Sequence, residues 1–261
     1  MSELWNVTRY NESKKIRLNA ICQLIEWSGF QFNRELNILD VGCGNAIVDS
    51  YLCHQYPSIN ILGIDKDSHM IEAAGANNAL SNLQFKKIDA HDITYKKEFD
   101  LVLSTAALHW IKEQDKVLAN IFDALKSNGK ALFIIYPPPP YLFESLDILI
   151  NDCKWKSYFA NFDHGYYFYD EQNYTHLAKE AGFTVNKIAM LKHDYKLRNQ
   201  QDLEKIIASW LPHLKRLPNT LHQQFMRELC GTMLISMQKN GIDNFTQYRG
   251  LSLNVYLSKP C

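Results

Sequence analysis

The chain has 261 residues, of which 46% are hydrophobic, and its 28 basic residues balance 28 acidic ones. This length and composition predict one large folded domain, and the balanced charge argues against a nucleic-acid partner. No apolar run approaches the roughly 18 residues of a membrane span, and the first residues lack the apolar segment of a secretory signal. We therefore predict a cytoplasmic protein with no membrane partner. The cysteines and histidines show no zinc spacing, so no metal is expected.

Helices and strands are predicted to alternate as far as residue 136. Residues 14–27 carry apolar side chains at helical spacing, with Ser13 as a candidate cap. Continuous apolar runs predict buried strands at 36–42, 59–65, 83–89, 99–108 and 131–136. Helices are predicted between them at 46–55, 68–78 and 117–125, followed by a turn at Ser127–Lys130 in which Gly129 ends the last helix.

The regular alternation of predicted strands and helices ends before Pro140. Residues 141–162 are rich in aromatic side chains and look helical, and further helices are predicted at 174–182, 201–214 and 219–239. Two more strands, 183–190 and 251–258, complete the sheet. The pattern predicts an α/β fold, with a doubly wound, mainly parallel seven-stranded Rossmann-like sheet and a helical lid. We predict a single domain over 1–261, with a core at 1–137, a lid at 141–165 and 199–240, and closing strands at 183–197 and 251–259.

The segment "NILDVGCGNA", residues 37–46, predicts a ligand site where the first strand ends. Gly42 and Gly44 allow a tight bend and a close approach of a ligand to the backbone. The helix that follows directs its positive end toward that ligand. Asp65 ends the second strand, where a carboxylate accepts hydrogen bonds from the hydroxyls of a ribose. A dinucleotide and S-adenosylmethionine both fit these features.

The residues around the bend favour S-adenosylmethionine. A dinucleotide enzyme has a third glycine at the position that Ile47 occupies here. Asp40 lies just before the first glycine, where it suits a cation and repels a pyrophosphate. The sulfonium and ammonium groups of S-adenosylmethionine are both cationic.

At this point the chain resembles a known family. The motifs "ILDVGCGNA", "GIDKDSHMIEAA", "KKIDAHDI", "FDLVLSTAALHW" and "LKSNGKALFI" are similar to those of class I S-adenosylmethionine-dependent methyltransferases. The segments "WNVTRY", "LHW" and "SWLPHLKRLPNTLHQQF" resemble trans-aconitate, juvenile hormone acid and malonyl-carrier-protein methyltransferases, which methylate carboxylate oxygens. The resemblance implies a methyltransferase fold, S-adenosylmethionine as cofactor and S-adenosylhomocysteine as product.

The resemblance also implies where the parts of the cofactor bind. Residues around the bend would line its methionine part, namely Asp40, Gly42, Cys43 and Gly44. Asp65 would hold the ribose. Residues at the ends of the next strands would meet the adenine and the sulfonium side, namely Lys66, Met70, Asp89, Ala90, Ser104 and Thr105. Tyr10 and Trp5 would close over the cofactor. Ala46 replaces the usual third glycine of the family; because alanine forms helix well, we expect it to tighten the pocket without abolishing it.

Candidates on the substrate side are His109, Trp110 and Tyr136, which follow the fourth and fifth strands. Four arginines could bind a substrate carboxylate, namely Arg198, Arg216, Arg227 and Arg249. A carboxylate is ionised at pH 7, so its methylation requires no protein base. We therefore predict a carboxylate O-methyltransferase whose partner is a small acid, an acyl substrate or an acyl carrier protein. A small-molecule N- or phenol O-methyltransferase, a nucleic-acid methylase and a non-catalytic cofactor-binding scaffold are the alternatives.

Overall fold

The computed structural model describes residues 14–194, 197–244 and 249–261. Trp5, Tyr10 and Ser13, which the sequence placed at the cofactor and at a helix cap, lie outside these residues. Within the described part of the chain, no helix has the length and apolar character needed to cross a bilayer.

Seven strands form one sheet, and the prediction of a mainly parallel sheet is confirmed. The strands are β1 (Leu36–Val41), β2 (Ile59–Asp65), β3 (Leu83–Lys87), β4 (Phe99–Thr105), β5 (Leu125–Ile135), β6 (Thr184–Asp194) and β7 (Arg249–Ser258). Their order is β3-β2-β1-β4-β5-β7-β6, with β1 to β5 parallel and β7 antiparallel to β5. Strand order reverses between β1 and β4, which is where ligands bind in open α/β sheets.

Helices cover both faces of the sheet. Four of them are α1 (Lys14–Ser28), α2 (Ile47–Gln55), α3 (Ser68–Asn77) and α4 (Gln114–Ala124). Alternate residues of β5 enter two separate cores, because successive side chains of a strand point to opposite faces. Phe133 packs in the cluster that contains Leu118 of α4, whereas Leu132 packs with Leu24 of α1. The continuous apolar strands of the sequence are thus explained by burial on both sides.

Contacts divide the described residues into two compact units. The first comprises 14–137, 166–191 and 252–261, and includes α6 (Glu171–Glu180). The second comprises 138–165, 192–194, 197–244 and 249–251. Its helices are α5 (Leu142–Ile150), α7 (Gln200–Ala208) and α8 (Asn219–Lys239), and they enclose their own apolar cluster around Trp155 and Phe225.

Three local predictions were wrong. Residues 127–130 lie inside β5, at an irregularity of its pairing with β4, and Asn128 rather than Gly129 has a left-handed φ of 63°. Asparagine tolerates that conformation better than most residues. The helix predicted at 201–214 ends at Ala208, and a short 3₁₀ turn starts at Pro212. Within 141–162, only α5 and the 3₁₀ turn Lys156–Tyr158 are helical.

Candidate functional site

The backbone bends sharply at the end of β1. Gly42 has a φ of 80°, and its N–H donates to the Ile64 carbonyl at 2.8 Å. A Cβ on Gly42 would lie 2.2 Å from the Cβ of Ala107, in the loop after β4. Only glycine fits here, because both the φ angle and the neighbouring chain exclude a side chain.

Asp65 at the end of β2 holds this bend in place. One carboxylate oxygen accepts the N–H of Gly44 at 3.0 Å, and the other accepts the N–H of Asp67 at 2.9 Å. Burial raises the pKa of Asp65, although these two hydrogen bonds oppose the rise. Each carboxylate oxygen retains a second lone pair, so the group can still accept hydrogen bonds from a ligand hydroxyl.

Two buried carboxyl groups lie beside the bend. Asp40 is 1% exposed and Asp49, in the first turn of α2, is fully buried. The two carboxyl groups are near enough for each to shift the pKa of the other. Burial and the charge of Asp49 raise the pKa of Asp40 well above its usual value, and burial raises the pKa of Asp49 to about 6. Asp49 was missed in the sequence, because an acid in the first turn of a helix is common for local reasons.

Ala46 does not behave as the sequence suggested. It lies before α2 rather than inside it, with a left-handed φ of 59°, and its side chain is fully buried. The helix propensity of alanine is therefore irrelevant at this position. A left-handed alanine carries a strain of roughly 1–2 kcal/mol, which explains why glycine suits the position.

A histidine organises the loop after β3. Asp89 accepts hydrogen bonds from the backbone N–H of His91 at 3.0 Å and from its Nδ1 at 2.8 Å, while Nε2 lies 2.8 Å from the Lys112 carbonyl. Two acceptors favour the doubly protonated ring. Burial lowers the pKa of His91, but the hydrogen bonds to Asp89 and Lys112 outweigh it and raise the pKa overall. This histidine was also missed in the sequence.

The other predicted adenine residues differ in exposure. Ala90 and Met70 are buried, at 7% and 1% exposure, whereas Lys66 is exposed. At the end of β4, the Ser104 hydroxyl is buried and donates to the Val41 carbonyl at 2.8 Å. Ser104 therefore fastens β4 to β1, while its neighbour Thr105 is half-buried.

The structure brings the three substrate-side candidates together and adds a fourth aromatic residue. His109, Trp110, Tyr136 and Tyr166 form one ring cluster, with centroids 4.9 Å apart for His109 and Tyr166 and 4.7 Å for Trp110 and Tyr166. The Tyr166 hydroxyl donates to the Tyr136 carbonyl at 2.8 Å. Tyr166 follows Tyr136 by thirty residues in sequence, so no local motif links it to the cluster.

His109 is neutral in this cluster. It is 3% exposed, and burial lowers its pKa to about 3. Its Nδ1 accepts the backbone N–H of Tyr136 at 3.3 Å, so the proton of the neutral ring resides on Nε2. The buried Gln114 amide donates to the carbonyls of Leu108 and Tyr167, at 2.8 Å each, which fixes the loop that carries the ring.

The candidate arginines lie in the second unit. Arg198 is paired with Asp202 through two hydrogen bonds of 2.9 Å, and the Arg216 guanidinium lies 5.4 Å from the centre of the Phe162 ring. Arg227 contributes a carbonyl that accepts from Gln200. The side chain of Arg249 lies outside the described residues. Arg198, just before α7, already has a carboxylate partner in the first turn of that helix, so it is the weakest of these candidates.

Comparison with known proteins identifies the family of this chain. A family model described as "Methyltransferase domain" matches residues 32–182. Malonyl-[acyl-carrier protein] O-methyltransferase of Priestia megaterium is 25% identical over 174 residues, which cover 66% of this chain and 61% of that protein. Juvenile hormone acid O-methyltransferase of Drosophila melanogaster is 23% identical over 248 residues, covering 89% and 82%.

A solved structure shows the same fold. Haemonchus contortus phosphoethanolamine N-methyltransferase 2, in complex with S-adenosyl-L-methionine, matches with a TM-score of 0.59 and 18% identity over 93% of this chain and 53% of that one. At this identity the likeness concerns the fold alone.

Proposed function

Because the chain belongs to the methyltransferase domain family and is an S-adenosylmethionine-dependent methyltransferase, we propose that it methylates a carboxylate oxygen of a small organic or acyl acid. The methyl donor supplies a methyl group that is already activated by a positively charged sulfur. The protein then has to bind the donor, hold the acceptor in line and exclude water.

The residues at the ends of β1 and β2 fit this donor. Asp40 and Asp49 are buried carboxyl groups with oxygens that no N–H or O–H donor reaches among the described residues, which suits a cationic ligand and repels a pyrophosphate. Asp65 is fixed by two backbone N–H groups and retains lone pairs for ribose hydroxyls. These features support the bend, from Asp40 to Gly44, as the site of the methionine part. They support Asp65 as the ribose residue.

The neighbouring loops complete the proposed cofactor site. Asp89 and Ala90 follow β3 and are proposed for the adenine edge, with Lys66 and Met70 beside the ring. Ser104 and Thr105, at the end of β4, are proposed for the sulfonium side. Because the Ser104 hydroxyl is occupied by the Val41 carbonyl, its contribution is to position β4 rather than to bind the ligand.

The proposal of a carboxylate acceptor rests mainly on the neutral state of His109. An amine or phenol is protonated near pH 7 and must lose a proton during methyl transfer, whereas a carboxylate with a pKa of about 4 is already a nucleophile. Burial lowers the pKa of His109 to about 3, so its imidazole is a poor base. Its Nε2–H can instead donate to one oxygen of the acceptor and so orient the other. Trp110, Tyr136 and Tyr166 would surround an apolar part of the acceptor.

The names of the relatives favour two acceptor classes. One relative is named for malonyl-[acyl-carrier protein] and another for juvenile hormone acid. We therefore propose either a free carboxylic acid or an acyl chain on a carrier protein as the partner. A small amine, which an aromatic cluster could bind through cation–π contacts, is the alternative to both carboxylate classes.

A methyl-transfer screen with radiolabelled S-adenosylmethionine tests the proposal. Purified protein is incubated separately with dicarboxylic acids, long-chain acids, acyl-carrier-protein thioesters, amines and phenols. The label in a methyl ester is released as methanol by mild alkali, whereas N-methyl groups and phenol ethers survive. We expect alkali-labile label with at least one carboxylic acid.

One variant tests the cofactor site, and the alkali stability of the label tests the class of acceptor. At limiting S-adenosylmethionine, the Asp65→Ala protein should transfer far less label to every acceptor, because it lacks the proposed ribose ligand. Transfer only to amines or phenols, with alkali-stable label, would overturn the carboxylate proposal and leave the methyltransferase assignment intact.

A further inference from the structure

The carboxyl group of Asp49 has no structural task in the described part of the molecule. An acid in the first turn of a helix usually accepts hydrogen bonds from the free backbone N–H groups there. The N–H of Ala46 donates instead to the Cys43 carbonyl at 3.0 Å. No N–H or O–H donor among the described residues reaches either oxygen of Asp49 or Oδ1 of Asp40.

Two facing carboxylates cannot both remain charged in such a place. Burying one unpaired charge costs several kcal/mol, and a second like charge beside it costs more. A hydrogen bond between two carboxyl groups also requires a proton on one of them. The pair therefore needs either a shared proton or a cation.

Among the described residues, the other titratable groups that face the pair supply no cation. They are Asp65 at the end of β2 and the Cys43 thiol in the bend. Burial and the nearby carboxylates raise the pKa of the Cys43 thiol, so it remains neutral. Burial likewise raises the pKa of Asp40 well above its usual value. Because the pKa values of both carboxyl groups are raised, the pair holds a proton at a pH at which an ordinary aspartate has lost it.

We propose that Asp40 and Asp49 share one proton in the ligand-free protein and release it to solvent when the α-ammonium group of S-adenosylmethionine binds. Asp49 thereby becomes a cofactor-binding residue in addition to those of the glycine bend. The only bond that breaks is the carboxyl O–H, and the ammonium takes over the neutralising role of the proton. This inference rests on the proposed cofactor site.

Titration calorimetry of S-adenosylhomocysteine tests the inference, because this product retains the ammonium group. Measurement at pH 6.5 in phosphate and in imidazole buffers, which differ in ionisation enthalpy, gives the number of protons released per ligand bound. At this pH the ligand amine is already protonated. We expect release of about one proton, with affinity rising up to about tenfold per pH unit between pH 5.5 and 7.

Two variants assign the proton to the pair. Asp49→Asn keeps the shape of the side chain and removes the shared proton, so the release and the pH dependence of affinity should both disappear. Asp123→Asn makes the same change on an exposed carboxylate of α4 and should release as many protons as the unsubstituted protein. Circular dichroism verifies that both variants are folded. Carbon-13 titration of the Asp40 and Asp49 carboxyls in ligand-free protein gives a ligand-independent reading, and ordinary pKa values for both would overturn the inference.

Each other outcome has a distinct meaning. Binding without proton release overturns this inference and leaves the cofactor site standing. Release that persists in Asp49→Asn would show that the proton is not shared with Asp49 and overturns the inference as well. If S-adenosylhomocysteine does not bind, both the cofactor site and the inference are wrong.

Discussion

The ends of β1 and β2 differ in chemistry from the ends of β4 and β5, although both lie on one edge of one sheet. The first region concentrates buried acid in Asp40 and Asp49, with oxygens that no described donor reaches. The second region is aromatic, and the imidazole of His109 within it is neutral. A cation is thus expected at the first region, and an acceptor that needs no proton transfer at the second. The parallel sheet allows this division because it brings separate strand ends side by side.

The largest expected effect concerns the point where the two regions touch. Gly42→Ala places a Cβ 2.2 Å from that of Ala107 at a φ of 80°. Overpacking and left-handed strain should together lower the free energy of unfolding by about 3 kcal/mol. Gly75→Ala is the matched control, since Gly75 lies in α3 with open space around its Cα; it should raise stability by about 1 kcal/mol. Urea denaturation of both variants measures the difference, and equal stability would contradict the model of the bend.

The next largest effect is a loss of cofactor affinity when the acidic region at the ends of β1 and β2 is altered. Asp65→Ala removes the acceptor of the Gly44 and Asp67 N–H groups together with the proposed ribose ligand. We expect the affinity for S-adenosylhomocysteine to fall by about 100-fold, as two charged hydrogen bonds would give. Titration calorimetry measures the loss. Asp123→Ala, which removes an exposed carboxylate of α4, should bind normally, and normal binding by Asp65→Ala would remove Asp65 from the site.

Opposite responses to pH should distinguish the two regions. The folded pKa of Asp49 is raised to about 6, so the unsubstituted protein loses stability as pH rises from about 4 to 6. Asp49→Asn escapes this loss, and its relative stability should increase by about 1.4 kcal/mol per pH unit over that window. The folded pKa of His109 is lowered to about 3, so its contribution is lost as pH falls below about 6.5.

His109→Gln should therefore gain relative stability as pH falls, with the same slope of about 1.4 kcal/mol per pH unit. Thermal unfolding of both variants at pH 4.5, 5.5 and 6.5 measures the two slopes. Slopes of the same sign would show that the two regions do not differ in charge as described.

A smaller effect is expected on catalysis. His109→Gln retains an oxygen that can accept the Tyr136 N–H and an amide that can donate to the acceptor. Because the neutral ring is not a base, kcat should fall less than about tenfold, whereas loss of a general base costs about 10²–10⁴-fold. The kcat of the unsubstituted enzyme should also stay constant from pH 6 to 8. A thousandfold loss, or a kcat that titrates near pH 7, would restore His109 as a base.

The smallest effect compares two left-handed alanines, one in each region. Ala46 and Ala106 have φ angles of 59° and 62°, but Ala46 is fully buried and Ala106 is half-buried. Replacement by glycine relieves backbone strain at both positions. It also removes a methyl group, and the loss of buried apolar surface, about 0.8 kcal/mol, is larger at Ala46 because that methyl group is fully buried. Ala106→Gly should thus be the more stable variant by about 0.5 kcal/mol in urea denaturation. The reverse order would show that strain at Ala46 exceeds that at Ala106.

Much of this molecule follows from its sequence. Continuous apolar strands, helical spacing between them and glycines at the end of β1 predicted the parallel sheet and the bend, because periodicity and backbone freedom are local properties. The same reasoning brought Asp65 to the bend and placed His109, Trp110 and Tyr136 at the neighbouring strand ends. Where local signals compete, prediction was wrong, as at Asn128 and at the end of α7.

Only the tertiary structure determines the protonation states of these side chains and which other side chains lie beside them. Asp49 lies near Asp40 because α2 turns it there, and Tyr166 joins the aromatic cluster because a distant segment returns to the end of β5. The Ser104 hydroxyl donates to the Val41 carbonyl of β1, which the fold brings beside β4 although it is far away in sequence. The pKa of a side chain depends on desolvation and on neighbours far away in sequence, so no local pattern could show that His109 is neutral or that Asp40 and Asp49 compete for a proton.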